Sequence, residues 1–268
     1  MLEAEVLNEN GCEAMSDEEV PLLGGNMAKG IVRVGNTVRK PSGPWTPAVH
    51  ALLTHLIGVG FRGCPRSLGV DDQGRHVLEW IDGSTTNPYL RGERSPSLKE
   101  IGVLLRAFHD AAAEFVPPAD SVWGTLIDSH NPLQIVHHDL ASWNFVHGGD
   151  RQVIIDWDLA GPGDRLWDIG LSVHGFCGVG DTHQDVAEVS MVVCEFVAGY
   201  GLDEAQRRAL IELIPRRLRS MFTHLQSGAA RAQSPWLQMW NDGHGEYWRR
   251  AEAVAITQSP RLLQALLS

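Results

Sequence analysis

No apolar run in the chain reaches the roughly eighteen residues that a membrane-crossing helix needs. The start, Met1-Leu2-Glu3-Ala4-Glu5, is acidic and lacks the basic segment and apolar stretch of a secretory signal. Cysteine is scarce: Cys12, Cys64, Cys177 and Cys194 are scattered with no CxxC spacing. That distribution excludes an obvious zinc site and fits free thiols in a reducing compartment, so a cytoplasmic location is expected. Positive charge does not cluster either. The net charge is −11, with seven acids against one base in residues 1–30 and ten acids against nine bases in residues 170–268. Neither a nucleic-acid-binding nor a membrane-binding surface is therefore expected.

What is present is enough for a sizeable core. The chain has 268 residues, 43% of them hydrophobic, which suits one bilobal unit. The most informative stretch is His137-His138-Asp139-Leu140-Ala141-Ser142-Trp143-Asn144, followed by Val153-Ile154-Ile155-Asp156-Trp157. It reads as a loop bearing a carboxylate and an amide, then an apolar strand ending in a second carboxylate. Gln134-Ile135-Val136 can form a short strand leading in, and His147-Gly148-Gly149-Asp150-Arg151 is turn chemistry between two strands. Phosphoryl transfer needs this set. One Asp orients and deprotonates a hydroxyl, an Asn and a second Asp hold metal, and the protein otherwise positions groups and neutralises charge. Asp139 precedes Asn144 by five positions, the spacing of a kinase catalytic loop.

These residues resemble the aminoglycoside phosphotransferase and choline kinase-like family, relatives of the protein kinases. That family shows His-Gly-Asp, four residues and Asn, then a strand ending in Ile-Asp-Trp, then a further Asp. Here the counterparts are His137-His138-Asp139, Asn144, Ile155-Asp156-Trp157 and Asp168, with His138 in place of the glycine. The resemblance implies an α+β bilobal protein-kinase-like fold. A small antiparallel-sheet lobe over residues 19–82 would bind nucleotide. A larger, mainly helical lobe over 83–268 would carry catalysis and acceptor binding, and residues 1–18 read as a polar leader.

Within the first lobe, Gly24-Gly25-Asn26 sits in a hairpin suited to covering phosphates, which makes Gly25 and Asn26 candidate contacts. The third strand, Thr37-Val38-Arg39-Lys40, should supply a cation to the phosphates, and strand alternation lets only one of Arg39 and Lys40 face inward. The family's apolar–apolar–cation pattern favours Arg39; the protein kinase pattern leaves Lys40 open. The family often places a Glu on the next helix to pair that cation. No Glu occurs between Arg39 and Asp71, and His50 is the nearest polar substitute. By the same resemblance, the backbone of Glu79 and Ile81 would meet the nucleotide base.

The resemblance thus implies a kinase that transfers the γ-phosphate of ATP or GTP to a hydroxyl, with Asp139 as base, Asn144 and Asp156 on Mg²⁺, His137 fixing the loop and Asp168 bracing it. The acceptor class expected first is an aminoglycoside-type antibiotic, then a choline-, sugar- or homoserine-like alcohol; the alternative to an enzyme is a non-catalytic nucleotide-binding module. Acids and tryptophans coincide in residues 236–252. Asp242, Glu246 and Trp240 are therefore expected to form a wall for a cationic, polyhydroxylated acceptor. The same acids could instead pair with Arg249 and Arg250 on a solvated face.

Overall fold

The computed structural model describes residues 18–22, 30–85, 96–129, 131–147 and 149–268. Residues 1–17 of the expected leader, and Gly25 and Asn26 of the expected glycine-rich hairpin, lie outside the described residues.

The first lobe is a five-stranded antiparallel sheet. Strands β1 (Glu19–Pro21), β2 (Val32–Val34), β3 (Thr37–Pro41), β4 (Ser67–Val70) and β5 (Arg75–Glu79) run in the order β1-β2-β3-β5-β4. Gly35 at φ 55 and Gly74 at φ 76 make the turns that join β2 to β3 and β4 to β5. Helix α1 (Thr46–Gly58) starts with a proline in its first turn, where a missing N–H costs nothing. It buries Val49, Leu52, Leu53 and Leu56.

The second lobe is helical. Helix α2 (Leu98–Ala112) begins at a capping box in which Ser97 and Glu100 satisfy each other's backbone N–H groups. Its buried stripe, Leu98, Ile101, Leu105, Phe108 and Ala112, has helical spacing and packs on α4 (Val186–Tyr200). A side chain on Gly102 would strike the Phe196 carbonyl, so glycine sets how closely these helices cross. Helices α3 (Arg165–Cys177), α5 (Glu204–Ala230), α6 (Trp236–Asn241) and α7 (His244–Leu267) complete the lobe, with α5 packed along α7 and against α3. The segment from Trp236 to Leu267 could run as a single helix. It is two, because Gly243 takes φ 90 and ends the first. No helix among the described residues is long and apolar enough to cross a membrane.

Between sheet and helices lie short strands: β6 (Gln134–Val136) paired with β9 (Gly161–Gly163), and β7 (Phe145–Val146) paired with β8 (Val153–Ile154). The hairpin read from Gly-Gly-Asp is β7–β8. The loops leaving β6 and β8 both sit over a core that includes Phe108, Phe145 and Trp157. Phe108 and Trp157 meet edge to face at 4.9 Å.

Candidate active site

Residues 137–144 form a loop whose backbone is held from behind by Asp168. This carboxylate is fully buried in the first turn of α3. It accepts hydrogen bonds from the backbone N–H groups of His137 (3.1 Å) and His138 (2.8 Å), and from Nε2 of His109 (3.2 Å). Burial, the largest single influence, would raise its pKa; the hydrogen bond from His109 and the surrounding imidazoles together outweigh it and hold it at about 2. His109 in turn meets the Tyr200 hydroxyl at 2.8 Å, tying the loop to α2 and α4.

His137 fixes the loop from the other side. Its Nδ1 accepts the Asp139 backbone N–H at 3.3 Å, so its Nε2 carries the proton donated to the Ile155 carbonyl at 3.0 Å. Burial keeps this imidazole below its ordinary pKa, hence neutral. His138, which stands where the resembled family has glycine, sits at φ 65. A non-glycine residue there costs roughly 1–2 kcal/mol. Its Nε2 meets the Pro162 carbonyl at 3.1 Å, and its backbone N–H is one of the two bonded to Asp168.

The loop presents Asp139 half-buried. One carboxylate oxygen accepts a bond from Asn144 Nδ2 at 2.8 Å, and the same nitrogen reaches the Asp139 carbonyl at 2.9 Å. The Asn144 amide oxygen is used in neither bond. Burial first, and the charge of Asp156 second, push the Asp139 carboxyl up to about 7. Asp156 is close because the Ile155 N–H bonds the Asn144 carbonyl at 2.9 Å, joining the end of β8 to the loop. Asp156 itself takes φ 60, a left-handed turn that ends the strand.

Opposite them, the sheet contributes Lys40. Its Nζ lies 2.8 Å from Asp156 and 2.9 Å from Asp158, and the side chain is almost fully buried. Burial would lower its pKa, but the charges of Asp156 and Asp158 raise it. This reverses the expectation for β3. Arg39 points to the other face, bonding Thr37 at 3.2 Å and Asp71 at 3.1 Å, so the inward pair is Val38 and Lys40. The register is one residue further on than the apolar–apolar–cation alignment implied. The physical reason is charge: two carboxylates wait inside for one cation, and Asp71 at the β4–β5 turn draws Arg39 and Arg75 outward. His50 is no substitute partner for the cation; its Nδ1 bonds Ser67, which bonds His76.

Glu79 ends β5 with its side chain bonded to Arg151 at 2.7 Å, and the chain then leaves the sheet through Trp80 and Ile81. The residues expected to form an acceptor wall do not converge on this centre as a set of free groups. Glu246 is clamped by Arg249 (2.7 Å) and Arg250 (2.6 Å) on an exposed face, and Asp242 is exposed at the end of α6. Trp240 packs on Phe222 at 5.8 Å and against Gly245, filling the corner of α5, α6 and α7. Arginines three and four positions away on a helix outcompete any more distant partner for Glu246.

A loop aspartate, an asparagine, a strand-end aspartate and a strand lysine thus meet beside the five-stranded sheet. A family profile described as phosphotransferase enzyme family matches residues 89–219. The chain is also 31% identical over 215 residues to the trifolitoxin immunity protein of Rhizobium leguminosarum bv. trifolii, covering 73% of this chain and 79% of that protein. The chain belongs to the phosphotransferase enzyme family. Its fold is shared with a choline/ethanolamine kinase family protein from Mesorhizobium loti (18% identity, TM-score 0.63, 94% of this chain and 93% of that one). It is shared as well with an amicoumacin kinase in complex with AMP-PNP and Ca2+ (14% identity, TM-score 0.61, 87% and 88%). An aminoglycoside 2'-phosphotransferase-IIIa in complex with GDP also matches it (14% identity, TM-score 0.57, 90% and 94%). The bilobal, protein-kinase-like architecture is thus established.

Two residues of this phosphotransferase were not legible as site residues in its sequence. Asp158 shares Lys40 with Asp156; the spacing Asp-x-Asp was visible, but nothing assigned the second carboxylate. Arg217 comes from α5, 79 residues beyond its partner: its Nη2 donates to the His138 carbonyl at 2.9 Å. It is buried, and its guanidinium lies 5.0 Å from the Trp167 ring. Burial lowers its pKa to about 10, against the pull of Asp139 and Asp168, so it stays charged at neutral pH. No local signal separates Arg217 from Arg216 beside it.

Proposed function

We propose that this phosphotransferase moves the γ-phosphate of ATP or GTP onto a hydroxyl of a small molecule, using Mg²⁺. The observation that carries this reading is the meeting of Asp139, Asn144, Asp156 and Lys40 from a loop, a strand end and the opposite lobe.

Asp139 takes the acceptor's hydroxyl proton on its carboxylate, whose raised pKa suits a base working near neutrality. The acceptor oxygen bonds the γ-phosphorus, the bond from that phosphorus to the β–γ bridging oxygen breaks, and nucleoside diphosphate leaves. Arg217 stabilises the loop carbonyl behind Asp139 and offsets negative charge there. Lys40 exchanges one of its two carboxylates for phosphate oxygens. The donor set suits a hard cation: the Asp156 carboxylate and the unused Asn144 amide oxygen would hold Mg²⁺, which prefers one or two carboxylates plus phosphate and water. When bound, the ion neutralises charge on the phosphates. The Glu79 carbonyl and Ile81 N–H would meet the base, and Gly25 and Asn26 would cover the phosphates. The lobe boundary near residue 82 then separates nucleotide binding from catalysis, and a cytoplasmic location supplies the nucleotide.

An antibiotic is the acceptor class we favour, supported by the immunity protein among the relatives. A metabolic alcohol is the second reading, supported by the fold shared with a choline/ethanolamine kinase family protein. The test uses γ-labelled ATP and GTP, Mg²⁺ and a panel of hydroxylated antibiotics and alcohols. Label is expected on one acceptor class. The Asp156→Ala variant is expected to lose the Mg²⁺ dependence of nucleotide binding. An unchanged Mg²⁺ dependence in that variant would sink the metal assignment.

A further inference from the structure

Lys40 meets two carboxylates at once. Its Nζ lies 2.8 Å from Asp156 and 2.9 Å from Asp158. An ammonium has three donors, so two are used here and one is left for phosphate. The helix beside the strand offers no acid of its own. Helix α1 contains neither Asp nor Glu, its buried face is largely apolar, and its His50 is bonded to Ser67. The glutamate that the resembled family often sets on that helix is missing, and both acids on Lys40 come instead from the chain that follows β8.

The two acids are not equivalent. Asp156 is tied to the catalytic loop, because the Ile155 N–H before it donates to the Asn144 carbonyl at 2.9 Å, and its side chain is 39% exposed. Asp158 follows in a single 3-10 turn, Trp157–Leu159, and its side chain is 21% exposed. That turn is fixed from several directions. Trp157 is core, and its indole N–H donates to the Ile154 carbonyl at 2.8 Å. The Ala160 N–H donates to the Trp157 carbonyl at 3.0 Å. Gly124 lies so close to the Asp158 carbonyl that a side chain there would strike it. The left-handed backbone of Asp156, at φ 60, turns the chain so that both carboxylates reach one ammonium.

Metal binding would separate the pair. A hard cation takes the charge of the carboxylate that ligates it, and Asp156 then has less to give Lys40. A lysine with no carboxylate is a flexible, strongly hydrated point charge, poorly aimed at phosphate. We propose that Asp158 is the positioning residue of Lys40: it holds the ammonium while metal and nucleotide draw Asp156 away. It thereby does, from the second lobe, what the helix glutamate does in the resembled pattern. This rests on the phosphotransferase reading and gives Asp158 no part in ligating metal. Because the pair joins β3 to the turn after β8, the aim of the lysine does not depend on an acid from α1.

The test is a double-mutant cycle on the affinity for ATP and GTP with Mg²⁺, measured by calorimetry. Asp158→Asn and Lys40→Ala are each expected to weaken binding about tenfold, the scale of one charged hydrogen bond. The double variant should bind within about twofold of Lys40→Ala, because Asp158 acts only through the lysine. A second measurement needs no alanine at position 40. Lys29, Lys40 and Lys99 are the three lysines of the chain, so an NMR spectrum of ¹⁵N-lysine-labelled protein is simple to read, and Lys40→Arg identifies the signal of Lys40. With Mg²⁺ and AMP-PNP or GMP-PNP, the Lys40 ammonium protons should be protected from exchange in the wild type and unprotected in Asp158→Asn. Effects that add, so that the double variant falls about a further tenfold, would make Asp158 a ligand in its own right and overturn the proposal. Equal protection of Lys40 in wild type and Asp158→Asn would overturn it too. A wild type that binds neither nucleotide would undo the function proposed above and take this inference with it, whereas additive effects in a chain that does bind leave that function standing.

Discussion

The loop 137–144 and the segment 236–252 both combine acids with tryptophan, and they have opposite fates. In the first, Asp139 is half-buried and its carboxyl is pushed up to about 7 by burial and by Asp156. In the second, Glu246 is exposed and two arginines on its own helix hold its carboxyl at about 2. Trp143 stands half-exposed beside Asp139, whereas Trp248 is core and Trp240 fills a helix corner. The difference teaches that an acid becomes chemically interesting where its neighbours cannot neutralise it locally. On a regular helix, residues three and four away do so; in a loop braced through its backbone, they do not.

The sharpest way to break this comparison is Asp139→Asn. Transfer is expected to fall by about 10²–10⁴-fold while nucleotide binding persists, as measured by labelled turnover and by nucleotide titration. In the wild type, kcat/KM should drop as pH falls through about 7, because the base must be ionised and its folded pKa lies there. Asp139→Asn with unchanged turnover would return the loop to the status of an ordinary turn.

Asp168→Ala should cost about 3 kcal/mol or more in urea unfolding, since it leaves two buried backbone N–H groups and His109 without their acceptor. The sign of its pH effect is also defined. The folded pKa, about 2, lies below the unfolded value near 3.8, so its contribution is present in full above about pH 4 and lost as pH falls towards 2. A variant with wild-type stability would show that the loop holds its shape unaided.

Next comes the pair on β3. Lys40→Ala is expected to raise the nucleotide KM by tenfold or more, on the order of the 1.5–3 kcal/mol of a charged hydrogen bond, and Arg39→Ala far less. Steady-state kinetics on both variants decides it. The reverse ranking would mean that nucleotide reaches the outer face of the sheet.

The smallest expected effect is Glu246→Gln. Solvent screens an exposed helix pair, so stability should move little and acceptor KM not at all. A large rise in acceptor KM would put α7 back into the site.

Much of this was readable from one dimension. Gly-Gly-Asp announced β7–β8, and Asp139, Asn144 and Asp156 were visible as a set because chemistry demands those types at that spacing. These are local features, settled by turn geometry and strand ends. The choice between Arg39 and Lys40 was not local. Alternation required that one face inward, but which one depended on Asp71 across the sheet and on Asp156 and Asp158 beneath it.

By itself, then, the sequence determined the order of elements, the phosphotransferase motifs and the need for one inward cation. Only the tertiary structure decided that the cation is Lys40, that His138 adopts a glycine's backbone, and that Arg217 stands behind Asp139. It alone placed Asp158 beside Lys40. The reason is physical. Burial, desolvation and charge pairing act through space between residues tens of positions apart, and a net charge or a spacing along the chain carries no record of which of them will meet.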